Sequence, residues 1–342
     1  MRQHHNVLYL TTAGAYVHKR DAAVEVVREG HEPVRIPRHH LQSIVCFGPM
    51  SVSPWLMHAC AEEDIGLVFL TEEGRYLARV VGPQNGNVLL RRAQYRIADN
   101  VLETLELART FVLGKVCNCR SHLRRAARDG AEPDRAKSFA RAADHLTALL
   151  GSIRRAMELD ELRGFEGAAA ATYFGCFPAL LRGEEAFGWT SRSSRPPMDG
   201  ANAVLSFLYS VLAVDCGSAA QAAGLDPQVG FLHAEKPGRP ALALDLMEEM
   251  RPVLADRVLF ALVNRRQLQA KHVERQASGA VLLTAEGRRV VLTEYQERKR
   301  EEIVHPFTQE TTTYGILCHL QARLLARHLR GDLDAYPPFL LS

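Results

Sequence analysis

No uninterrupted apolar run in this chain of 342 residues is long enough to cross a bilayer, which takes about 20 apolar residues in a helix. The opening stretch MRQHHNVLYLTTAG lacks the long apolar core and small-residue cleavage site of a secretion signal. A membrane span and an exported protein are therefore not expected, and a cytoplasmic protein is. The seven cysteines (Cys46, Cys60, Cys117, Cys119, Cys176, Cys216 and Cys318) are odd in number and scattered. That argues against a disulfide framework and for reduced thiols. Cys117 and Cys119 stand one residue apart, the wrong spacing for a zinc knuckle or a redox dithiol. No repeat period is visible. A formal net charge of only +3 leaves the chain as a whole without a charged partner to point to.

Apolar residues make up 47% and charged residues 24%, ordinary for a globular protein and enough at this length for two cores. Charge becomes informative locally. Between Arg109 and Arg141 there are nine Lys or Arg against three acids, Asp129, Glu132 and Asp134. A basic zone in a nearly neutral protein suits an acidic polymer.

Residues 6–82 read as short strands, with NVLYLTT, YVHKR, AVEVVRE and PVRIP divided by the turn-formers AG, RD and EGHE. LQSIVCFG and IGLVFLT flank SPWLMHACAEED, a short helix capped by Ser53 before Pro54, and RYLARVVG closes the set. GPQNGN at 82–87 is the clearest punctuation, so the domains are expected at 1–88 and 89–342. Beyond it the apolar period changes to threes and fours, and a single long helix over 91–129 is expected. Arg120, Arg124 and Arg128 form a row on it, either a solvated face or a phosphate-binding one. Helices are expected at 138–158, 160–176, 199–216, 240–264 and 314–330. A hairpin is expected at 280–293, with Glu286 and Gly287 at its tip, followed by a solvent-facing charged helix. The fold class is thus α+β and multidomain: an N-terminal β-sheet domain, then a mostly α-helical one.

Three segments carry possible chemistry. In GFLHAEKPGRPALALDLMEEMRP (230–252), His233 stands in a turn before a helix whose first position suits Pro240. Asp245 shares a helical face with Glu248 at three residues and with Glu249 at four, so spacing does not choose between the glutamates. In ELRGFEGAAAATYFGCF, Glu166 sits among Gly164, Gly167 and four alanines, where another helix could approach closely. A packed carboxylate there needs a partner or a cation; the other reading is a partly exposed acid near a helix start, favoured by the dipole. Glu166, His233 and Glu248 together would make an oxygen-rich site with one imidazole, suited to Mg2+ or Mn2+. No thiolate is placed to favour zinc. In TSRSSRPPMDGANAVLSFLYSVL, Asp199 caps a helix, Arg192 and Arg195 offer phosphate contacts, and Asn202 and Ser206 are supporting or merely buried polar groups.

GFEGAAAATYF, SRPPMDGANAVLSFLYSVL and GFLHAEKPGRPALALDLMEEMRP, in this order, closely resemble the CRISPR-associated "Cas-one" integrase family of the spacer-adaptation module. GNVLLRRAQY and LELARTFVLGKVCNCRSHLRR extend the likeness over essentially the whole chain, and the wording is nearest to the I-C branch. The resemblance implies an N-terminal β-domain that dimerises and a helical catalytic domain. It implies Glu166, His233 and Glu248 as ligands of Mg2+ or Mn2+, with Asp245 as a supporting catalytic acid. The second acid of the pair is Glu where some branches have Asp, which leaves the roles of Asp245 and Glu248 open. It further implies two homodimers flanking a dimer of a small ferredoxin-like partner, "Cas-two". Captured double-stranded DNA would attack CRISPR-repeat phosphodiesters with its 3′-hydroxyls. Lys115, Arg120, Arg124, Arg128, Arg192 and Arg195 are then candidate phosphate contacts. The competing expectations are a metal-dependent nuclease of branched DNA that cuts without joining, and a non-catalytic DNA-binding scaffold.

Overall fold

The computed structural model describes residues 6–82, 88–129 and 132–341. The chain divides into two compact units, Met1–Asn85 and Gly86–Ser342. Of the expected GPQNGN punctuation, residues 83–87 lie outside the described ones.

The first unit holds β1 (Asn6–Leu10), β2 (Tyr16–Arg20), β3 (Ala23–Val27), β4 (Val34–Pro37), β5 (Leu41–Phe47), β6 (Ser51–Val52), α1 (Pro54–Glu62), β7 (Gly66–Leu70) and β8 (Tyr76–Val80). One sheet runs β1-β5-β7-β8 and the other β4-β3-β2-β6. β1, β5 and β7 are parallel, with Leu8 opposite Ile44 and Ile44 opposite Leu67. The connection from β5 to β7 passes through α1, as a parallel pair requires. Ser53 caps α1 by accepting from Leu56 N at 3.2 Å, and Pro54 supplies the first turn without leaving an N–H idle. Val17, Val24, Ile44, Leu56 and Leu67 meet in the core.

The second unit begins with α2 (Val88–Asp99) and α3 (Val101–Arg128). The single helix expected over 91–129 is therefore two. Asn100 interrupts it because its side chain accepts from Leu102 N and Glu103 N at 3.0 and 3.3 Å, a capping arrangement worth about 1 kcal/mol. The apolar period runs on through the break, so periodicity could not reveal it. Then come α4 (Pro133–Arg155), α5 (Leu159–Gly175), α6 (Phe177–Leu180), α7 (Gly200–Ala222) and α8 (Ala241–Met250). A π-helical turn, Arg251–Ala255, leads into α9 (Asp256–Asn264). Pro252 has no N–H to return to the Glu248 carbonyl, and the expected helix 240–264 changes register there. β9 (Val273–Arg275) pairs with β10 (Val281–Leu283), and α10 (Ala285–Arg300), β11 (Glu302–Val304), β12 (Thr311–Thr313) and α11 (Tyr314–Leu329) follow.

The hairpin expected at 280–293 is corrected: only its first strand exists. Thr284 accepts from Gly287 N at 3.2 Å and starts α10, so Glu286 and Gly287 lie in a helical first turn rather than at a tip. A side chain at Gly287 would meet the His272 carbonyl, since a Cβ there would lie 2.3 Å from His272 O. The charged end of α10 is also not wholly solvent-facing, because buried Lys299 donates to Asp215 at 2.7 Å.

α3 runs through the middle of this unit against α4, α5 and α8, and α7 packs on α8 and α11. Among the described residues, α7 is the one helix long and apolar enough by composition to cross a membrane, which the run-by-run reading did not anticipate. Most of it is buried inside the unit, including Val204, Leu205, Leu208 and Leu212.

Candidate metal centre

The loop before α8 is organised by one carboxylate. Asp245, fully buried, accepts from Phe231 N and Leu232 N on Oδ2 at 2.6 and 3.1 Å, and from His233 N on Oδ1 at 3.0 Å. His233 Nδ1 donates to the same Oδ1 at 2.7 Å. A carboxylate that holds three amides can only accept, so Nδ1 is the donor here and Nε2 is the nitrogen turned toward the site. Gly230 allows the close approach, since a Cβ there would stand 2.8 Å from Asp245 Oδ2. Asp245 therefore aims the imidazole and has no lone pair to spare for an ion.

His233 Nε2 points to Glu248 Oε1 at 3.6 Å, and Arg251 Nη2 reaches the same oxygen at 3.1 Å. Glu248 Oε2 meets the Lys115 ammonium at 2.6 Å. That ammonium also contacts Glu166 Oε1, so α3, α5 and α8 converge on one positive charge. Burial works to raise the Glu248 carboxyl, but Arg251, Lys115 and His233 outweigh it and hold it at about 2. Burial likewise opposes the Lys115 charge, and Glu248 and Glu166 more than offset it. Arg163 ties α5 to the His233 loop by donating to Leu232 O through Nε at 3.1 Å and Nη2 at 2.8 Å.

Among the described residues no three His, Cys, Asp or Glu side chains close on a common point as a finished metal site. Instead the lysine ammonium sits where two carboxylates meet, with His233 Nε2 turned toward one of them. A cation already stands among these donors, and two carboxylate oxygens with one imidazole suit Mg2+ or Mn2+. Glu166, His233 and Glu248 are the groups that would hold it. They open onto a cavity of about 390 Å³ whose lining also includes Arg163, Lys236 and Arg239.

Glu249 faces away from the cavity. It accepts from Tyr336 OH, from Phe339 N and, at 3.1 Å, from Gln321 Nε2. Asn118 completes the anchorage by donating to Glu249 O and Phe339 O at 2.9 Å each and accepting from Leu341 N at 2.7 Å. Spacing had left Glu248 and Glu249 equivalent; the tail separates them.

Asp256, behind the site, accepts from Tyr209 OH at 2.9 Å, while its Oδ2 is buried without a hydrogen bond. Burial pushes this carboxyl up to about 7 against the pull of the Tyr209 and Tyr173 phenols. Between its ordinary value and 7 the folded protein keeps a proton that the unfolded chain releases. This contribution to stability is complete below the ordinary value and is lost as pH rises through 7. Asp256→Asn is therefore expected to flatten the pH dependence. The gain over the parent should be larger at pH 8 than at pH 5 by on the order of 3 kcal/mol, read from denaturant melts at the two pH values.

The expected phosphate contacts divide. Arg124, Arg128 and Arg195 are exposed and Arg120 is partly buried. Lys115 is not a surface contact, because it lies inside the acid pair. Arg192 is not free either. It donates to Asn202 Oδ1 at 2.8 Å and Ser206 Oγ at 3.2 Å, which gives that polar pair its role. Nor does a neighbouring helix close over Gly164 and Gly167, where an added Cβ would meet nothing within 4 Å. The small residues open Glu166 outward. Lys236 and Arg239 went unnoticed, although two cations within six residues of His233 were a readable signal.

The model of the family described as CRISPR associated protein Cas1 matches residues 8–297. The chain is 49% identical to CRISPR-associated endonuclease Cas1 2 of Rhodospirillum rubrum, over 98% of both chains. It is 45% identical to CRISPR-associated endonuclease Cas1 1 of Chlorobaculum tepidum, over 99% of both. Among solved structures, a CAS1 protein from Thermotoga maritima aligns with a TM-score of 0.82 at 25% identity, covering 95% of this chain and 97% of that one. A casposase bound to integration product aligns with a TM-score of 0.83 at 20% identity, covering 98% and 94%. A chain of a Cas6-RT-Cas1–Cas2 complex aligns with a TM-score of 0.82 at 22% identity, covering 99% of this chain and 36% of that one. The last two likenesses concern the fold.

Proposed function

Because the chain belongs to the CRISPR-associated Cas1 family, we propose that it is a divalent-metal-dependent DNA endonuclease and strand transferase that inserts short foreign duplexes into a CRISPR array. The observation that carries this reading is the convergence of Glu166 and Glu248 on one cation, with His233 Nε2 turned toward Glu248. Bound there, Mg2+ or Mn2+ supplies polarisation of the phosphoryl oxygen and charge stabilisation for the attacking and leaving oxygens. The chain's own groups do the rest. Asp245 fixes the imidazole, Arg251 holds Glu248 in its orientation, and Lys236 and Arg239 meet backbone phosphates at the cavity. The uncovered Gly164 and Gly167 let a duplex come close to Glu166. Phosphate contacts suit captured DNA of varying sequence. Attack by a 3′-hydroxyl needs no covalent enzyme intermediate and hence no Ser, Tyr or Cys nucleophile.

On this reading the protein acts in the cytoplasm as a homodimer formed through its β unit. Two such dimers flank a dimer of the small partner Cas2, within the I-C branch of the family. A fold neighbour solved in a complex with Cas2 supports the partner, and one solved with an integration product supports the joining chemistry. The test is an assay with purified Cas2, Mn2+, repeat DNA and a duplex labelled at its 3′-end. Label joined to the repeat is the expected result. Shortened substrate alone would indicate a nuclease that cuts without joining. Unchanged products from Glu166→Ala, with binding retained, would leave only a scaffold.

Arg124→Ala is expected to weaken DNA binding and to reduce the slope of log affinity against log salt by about 0.9, the value of one phosphate contact on duplex DNA. A slope unchanged between 50 and 200 mM salt would assign this row to solvent.

A further inference from the structure

Lys115 belongs to no ordinary surface pair. Its side chain is 8% exposed, it rises from the middle of α3, and its ammonium touches both Glu166 and Glu248. Glu248 Oε2 meets no other donor and faces this ammonium at 2.6 Å. Two carboxylates brought this close repel unless a cation lies between them. The lysine is thus what allows α5 and α8 to present their acids to one point before any ion arrives. Its position is also incompatible with a divalent ion on the same oxygens. A monovalent and a divalent cation a few ångströms apart in a poorly screened site repel strongly. One must leave, and a lysine stem with four rotatable carbons can move where the planar fork of an arginine cannot do so as readily.

We propose that Lys115 is a resident cation that reserves the ion position, is displaced when Mg2+ or Mn2+ binds, and then turns into the adjoining cavity to hold the DNA phosphate. The inference rests on the metal-dependent reading above. It accounts for a buried lysine at the centre of a site whose donors otherwise match a metal ion. It also gives the freed ammonium a task, since the cavity lined by Arg163, Lys236 and Arg239 is where a phosphate would lie.

The test compares the full chain with Lys115→Met, which keeps the stem and removes the charge. Mn2+ binding is measured without DNA by calorimetry, and joining is measured at saturating Mn2+. The expected result is Mn2+ affinity at least 10-fold tighter in the variant, with turnover at least 10-fold lower. A merely structural lysine would lower affinity and turnover together, and affinity equal to or weaker than the parent's overturns the proposal. If the parent binds no Mn2+ at all, the metal-dependent reading fails first and the proposal with it. A second measurement needs no variant. Labelling of Lys115 by an amine reagent, followed by mass spectrometry, should rise at least 5-fold when Mn2+ is added to the parent. Unchanged labelling in a protein that binds Mn2+ overturns displacement even if Lys115→Met does not fold.

Discussion

His233→Ala is expected to lower joining of labelled DNA by at least about 10²-fold, the upper range for removing a group that merely orients a metal ligand, while the protein melts almost as before. The separation follows from how the loop is held. Asp245 accepts three backbone amides as well as the imidazole, and the three amide bonds survive loss of the ring. What disappears is the nitrogen 3.6 Å from Glu248. Asp245→Ala has the opposite signature. It leaves the amides of Phe231, Leu232 and His233 buried without an acceptor, at about 1–3 kcal/mol for each unsatisfied group. Its loss of activity would come with a loss of stability. Thermal melts beside the joining assay separate the two. If His233→Ala joins DNA at the parental rate with Mn2+ present, the imidazole has no part in the reaction.

Glu249→Ala should cost about 3–5 kcal/mol of stability, typical of breaking a buried polar cluster by removing one member. The fully buried carboxylate holds Tyr336, Phe339 and Gln321 at once. Its removal leaves a phenol and an amide with nothing to donate to. Tyr336→Phe removes one donor alone and should cost about 1 kcal/mol. Denaturant melts that show no more than 1 kcal/mol of loss for Glu249→Ala would mean that the tail finds another anchorage.

Much of the molecule was legible in its residues because local rules and tertiary packing agree. The change from short strands to a three-and-four period marked the second unit. Ser53 with Pro54, and Asp199, marked helix starts at the positions where they cap. His233 and Glu248 were readable as neighbours because a turn and one helical face bring them together. Elsewhere the deciding contacts were distant in sequence. Glu248 and Glu249 are indistinguishable by spacing, and only residues 336–339, packed against α8, give them different work. The part of the stretch after Thr284 was misjudged because its β-branched residues favour a strand, and only the Thr284 cap with packing turns them into a helix. Lys115 looked like one more basic residue in a basic zone, since nothing in its neighbourhood shows that α5 and α8 fold onto it. Arg192 was misjudged similarly, because a Ser/Arg/Pro loop does not reveal that Asn202 and Ser206 wait beneath it.

The anchorage of Glu249 also sets an order of events during synthesis. Tyr336 follows its partner by 87 residues, so at about 5–20 residues per second the ribosome delivers it roughly 4–17 seconds later. Throughout that interval the acid on α8 lacks the Tyr336 phenol and the Phe339 amide. A nascent chain paused after Gly331 would carry every side chain of the cavity and still lack the segment that braces them from behind. Competence is thus acquired late, when residues 336–339 clear the exit tunnel and settle against Asn118.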